Sequence, residues 1–65
     1  SLGHVERFIE QFRDTLRITD IKTAAHVISA AVEEIICSIT IFSEGQDVDR
    51  LIDGLADMIH RYLFD

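Results

Sequence analysis

Sixty-five residues allow at most one small domain, because a chain this short buries only about 60% of its unfolded surface and is left marginal in stability. A hydrophobic share of 48% excludes a disordered polar tail. Six Lys and Arg against twelve Asp and Glu give a net charge of −6, with no cluster of cations, so this segment does not itself grip a nucleic-acid backbone or an anionic membrane. The chain begins at Ser1 without a methionine, which suggests a piece of something longer. Short and apolar, it is expected to need a partner.

A single cysteine, Cys37, forms no internal disulfide. No basic start leads into an apolar run of the kind that marks a signal peptide. The longest apolar stretch, Ile35 to Phe42, is broken by Ser38 and Thr40 and preceded by Glu33 and Glu34, so no membrane span is expected. The expected location is cytoplasmic.

Three helices are predicted. In the first, at about residues 3–17, Leu2, Val5, Ile9, Phe12 and Leu16 recur at spacings of three and four, Phe8 widens the stripe, and charged residues fill the other side. The pattern breaks at Arg17 to Asp20, where Thr19 or Asp20 can cap the next helix. That second helix, over about 20–43, carries the stripe Ile21, Ala25, Ile28, Val32, Ile35, Ile39 and Phe42, with a smaller one at Ala24, Val27, Ala31 and Ser38. The run from Ile35 to Phe42 is rich in β-branched residues and suits a strand, but the stripe continues from Ile21 without a breaker, which favours helix. Ser43 to Gln46 end it, with Gly45 at a left-handed cap. Asp47 then caps a third helix at about 47–64, whose stripe is Val48, Leu51, Ile52, Leu55, Ile59, Tyr62 and Leu63, with Asp57 and Arg61 spaced to pair.

Three helices do not satisfy the middle one. Its only polar face is Lys22, His26, Ser29, Glu33 and Thr40, interrupted by Ile36. Ala24, Ala31 and Ser38 repeat every seven residues, and Gly54 sits between Leu51 and Met58 on the last helix, a spacing suited to close helix packing. The expected fold is all-α, with the last two helices forming an intersubunit four-helix bundle in a homodimer.

Little points to reactive chemistry. His4, His26, His60 and Cys37 lack metal-ligand spacing, and Cys37 reads as a small apolar filler with no cation within a turn. Glu33 and Glu34 are adjacent, so they point about 100° apart and cannot work as a paired acid and base. No glycine-rich phosphate loop is present. Neither catalysis, nor a metal, nor a cofactor is expected.

The run from Thr23 to Ile36, an acidic loop, and then Val48 to Leu63 together resemble the C-terminal end of TetR-family transcriptional repressors: an alanine-rich apolar helix with an acidic residue midway, an acidic N-cap, and an amphipathic helix ending in Tyr62-Leu63. Glu34 departs from that pattern, which often has glycine after the midway acid. The resemblance implies a homodimer, a small-molecule effector, and DNA contacted only through an N-terminal helix-turn-helix outside these residues. It also implies that Ala31, Ile35, Ser38, Ile39, Phe42, Ile52, Leu55, Ile59 and Tyr62 divide between subunit interface and intrasubunit core. Phe8, Phe12, His26, Ser29 and Glu33 become candidates for the effector-pocket wall, although Phe8 and Phe12 read first as plain core packing. The alternative is a stand-alone helical protein–protein interaction module, an adaptor or complex subunit.

Overall fold

The structure, a computed structural model, describes residues 2–42 and 47–64. Its order is α1 (Leu2–Glu10), a 3₁₀ turn (Arg13–Thr15), α2 (Ile21–Phe42) and α3 (Val48–Phe64), and no strand occurs among the described residues. The β-branched run at the end of α2 is therefore helical. The turn expected at Ser43 to Gln46, with its Gly45 cap, lies outside the described residues.

α1 is shorter than its apolar stripe predicts, ending at Glu10 rather than near residue 17. The backbone tightens there: the Gln11 and Phe12 N–H groups donate to the carbonyls of Phe8 and Ile9, at 3.3 and 2.9 Å, three residues back instead of four. The Thr15 N–H and hydroxyl both donate to the Phe12 carbonyl, at 2.8 and 3.0 Å, and Leu16 is extended. This exit frees Arg17. Its backbone N–H donates to the Leu63 carbonyl at 2.6 Å and its guanidinium Nη2 to the Tyr62 carbonyl at 3.0 Å. Both carbonyls belong to the last turn of α3, where no intrahelical donor remains and a cation complements the helix dipole. The first helix stops early, and the chain beyond it caps the third.

α2 starts where Asp20 caps it. The Asp20 carboxylate accepts from the Thr23 N–H at 3.1 Å and the Thr23 hydroxyl at 2.7 Å, while its carbonyl takes the Ala24 N–H at 3.0 Å. Of the two candidates, Asp20 is the cap. At the start of α3 the Asp47 carbonyl accepts from Leu51 N–H at 3.0 Å. On the exposed face of α3, Arg61 Nε donates to both oxygens of Asp57, at 3.2 and 3.1 Å, as the spacing predicts.

The core is small and lies at one end. Ile9 from α1, Ile21, Ala24, Ala25 and Ile28 from α2, and Leu63 from α3 are buried, with Val5, Leu16, Ile18, Val32, Ile59, Tyr62 and Phe64 packed around them. Ala24 and Ala25 are fully buried, so the small side chains let both neighbouring helices approach α2 closely. Farther along, α2 emerges: Ile36 and Ile41 stand 57% and 62% exposed. Against the sequence expectation, Ile21–Ile41 is long and apolar enough, by length and composition, to cross a membrane. Glu33 and Glu34 would then sit near the bilayer centre, where a charge costs several kcal/mol, so an apolar protein surface is the better match for this helix.

Candidate functional site

The uncovered part of α2 and the facing side of α3 form one apolar groove. Its larger hollow, about 420 Å³, is lined by Ala31, Ile35, Leu51, Leu55 and Met58, with Glu34, Arg50 and Gly54 completing the wall. A second of about 260 Å³ continues it toward the core, between Val27, Ile28, Ala31, Met58, Ile59 and Tyr62. Ala31 and Met58 are common to both. On each helix these positions recur at three and four, so the groove is the meeting of two stripes. Helical periodicity makes the faces; the early end of the core leaves them open.

The expected interface residues spread over this region unevenly. Ala31, Ile35, Leu55, Ile59 and Tyr62 line the groove. Ser38 is half-buried and Ile52 is 48% exposed, each outside its lining. The Phe42 side chain is outside the described residues. Leu51, Met58, Glu34 and Arg50 line the groove without having been singled out as interface. The series Leu51, Leu55, Met58, Tyr62 was readable at helical spacing; of Glu33 and Glu34 the sequence places one near the apolar interface without saying which, and Arg50 reads as a residue of the first turn of the third helix.

A smaller hollow of about 180 Å³ lies between α1 and α2, lined by Leu2, Val5, Ile28, Ser29, Val32 and Glu33. Two expected pocket residues, Ser29 and Glu33, thus share one wall. The Ser29 Oγ is shut off from water and has no hydrogen-bond partner, and an unmet buried hydroxyl costs free energy. The other three pocket candidates lie elsewhere. Phe8 and Phe12 pack edge-on with centroids 5.3 Å apart, and Phe12 meets Phe64 at 5.8 Å. Neither is buried, so neither is the plain core residue that the first stripe suggests; Phe12 lies against the C-terminus of α3, with Phe8 beside it. His26 is exposed on α2, away from this hollow.

The remaining chemistry is modest. Among the described residues no group of His, Cys, Asp and Glu could hold a metal. Cys37 is exposed on the chain instead of filling a gap inside it, since the core ends before α2 reaches it. The two Thr23 hydrogen bonds, the hydroxyl's first, hold the Asp20 carboxyl below its ordinary pKa by favouring its charged form. That shift belongs to a helix cap, not to a reactive centre.

Comparison with known proteins adds a family to this geometry. No curated protein and no solved structure matches the chain. The family described as Tetracyclin repressor-like, C-terminal domain, matches residues 1–63, which is nearly all of it. With three helices, an alanine-bearing middle one and an open α2–α3 face, the chain belongs to the TetR-like C-terminal domain family.

Proposed function

We propose that this chain is the dimerisation portion, and one wall of the effector pocket, of a TetR-like transcriptional repressor. Its DNA contacts are made by an N-terminal helix-turn-helix outside these residues, and it works in the cytoplasm. Dimerisation occurs through α2 and α3, which pair with the same helices of a second copy. A small-molecule effector bound against the α1–α2 side shifts the balance between two arrangements of the dimer and so the spacing of the DNA-reading heads. Ser29 and Glu33 are the wall residues proposed here. The chain catalyses nothing.

The observation that carries the reading is the uncovered α2–α3 groove, and its size supports it. The accessible surface is 4994 Å², against about 4200 Å² for a compact monomer of this mass. The surplus of roughly 800 Å² equals what one partner buries in a standard interface. Val27, Leu51 and Met58 are exposed large apolar side chains lining that face, with Ile52 beside it, and apolar surface of this kind is usually covered by protein.

Sedimentation equilibrium across a dilution series tests it. A dimer that loses helicity only as it dissociates is expected, and Ala31→Glu, which puts a charge in the groove, should raise the dissociation constant at least a hundredfold. A wild-type chain that stays a folded monomer at micromolar concentration refutes the homodimer and moves the assignment to a module that binds a different protein.

A further inference from the structure

We infer that Glu34 and Arg50 select the partner: in the homodimer, Arg50 of each chain pairs with Glu34 of the other, fixing the register in which the two α2–α3 faces meet. This inference rests on the homodimer proposed above.

Glu34 and Arg50 are the two charged residues in the wall of the larger hollow, one from each helix, and they are opposite in sign. The rest of that wall is apolar apart from Gly54. Both are exposed, and no ion pair joins them within the chain among the described residues. A second copy seated in the groove removes water from around both. Without a counter-charge that desolvation opposes association, and with one it gives register and specificity. An isologous interface supplies the counter-charge from its own symmetry: if Arg50 meets the partner's Glu34, then Glu34 meets the partner's Arg50, so one sequence pair yields two contacts.

Gly54 indicates where the second copy crosses. A Cβ built on it meets nothing within 4 Å, so packing inside the chain gives no reason for a residue that weakens a helix interior. Gly54 lies four residues from Arg50 and faces the same hollow; across it, Ala31 lies three residues from Glu34. The two small side chains let a partner helix come close to the groove floor, and the two charges flank its path.

Charge exchange tests the pairing. E34R alone and R50E alone should each weaken self-association at least tenfold, with helicity by circular dichroism retained at high concentration. In E34R both flanking residues are basic, and in R50E both are acidic. Mixed together, the two variants should form a heterodimer, seen as a single mixed species by native mass spectrometry, with affinity restored to within a fewfold of wild type. Unchanged self-association of either variant, or no recovery on mixing, overturns the pairing while a wild-type dimer leaves the homodimer reading standing. A monomeric wild type overturns both. Should a charge reversal fail to fold, E34Q decides: dimer affinity that falls more steeply with salt in wild type than in E34Q supports the pairing, and equal salt dependence refutes it.

Discussion

The two halves of α2 meet fates opposite to their composition: Ile21 to Ile28 carries Lys22 and His26, while Ile35 to Phe42 carries no charged residue. From Ile21 to Ile28 the helix is enclosed by α1 and α3, and Ala24 and Ala25 have no exposed surface. From Ile35 onward equally apolar side chains stand open, Ile36 and Ile41 more than half so. The open half is the more apolar of the two, so hydrophobicity does not decide burial. The number of neighbours does: α1 stops at Glu10, and past its reach only α3, among the described residues, lies beside α2. One half stabilises the chain, and the other half is left open.

The sharpest test of that contrast is to cut a side chain on each side of it. Ile9→Ala removes the largest fully buried side chain and should cost about 2–5 kcal/mol, a large part of what a chain this short has. Ile41→Ser, at the exposed end, should change stability by less than about 0.5 kcal/mol. Urea unfolding followed by circular dichroism measures both, and equal costs would erase the distinction between the halves.

A middle-sized effect is expected where the enclosed end is fastened. Arg17→Ala keeps the backbone bond to Leu63 and loses the guanidinium bond to Tyr62, so α3 should fray at its C-terminus at a cost of about 1 kcal/mol. Amide hydrogen exchange should speed up in the last turn of α3 more than in α2. Uniform acceleration would mean that Arg17 does no more than any surface cation.

The gentlest perturbation concerns the cap that starts the enclosed half. Because the folded Asp20 carboxyl titrates below its ordinary range, its contribution is complete above the unfolded value and is lost as the pH falls through the folded one. Asp20→Ala should lower the unfolding midpoint at pH 7 and make no difference once the pH is low enough to protonate the wild-type carboxyl. An equal deficit at both pH values would put the cap's role in the backbone rather than in the charge.

Where the helices lie was largely readable, because helix–solvent amphipathicity is a local property. The stripe from Ile21 to Phe42 overrode the strand preference of Ile35 to Phe42, and Asp57 paired with Arg61 on spacing alone. The end of α1 was not readable. Leu2 to Leu16 keeps the right period throughout, and no local pattern announces that the chain leaves the helix for Arg17 to cap α3, a contact between residues 45 apart. Of the pocket-wall candidates that the family resemblance implies, Ser29 and Glu33, on α2, line one hollow, while Phe8 and Phe12 lie outside it.

The order of amino acids was enough for three helices, their apolar faces, the caps built from neighbouring residues, and a middle helix too apolar for two neighbours to cover. Each of these rests on spacings of a few residues. Which end of that helix is enclosed, that Arg17 closes α3, and that Glu34, Arg50 and Gly54 border one hollow emerged only once the helices were packed. Those facts depend on where distant segments meet, and a helical repeat carries no information about which neighbour will lie against each of its faces.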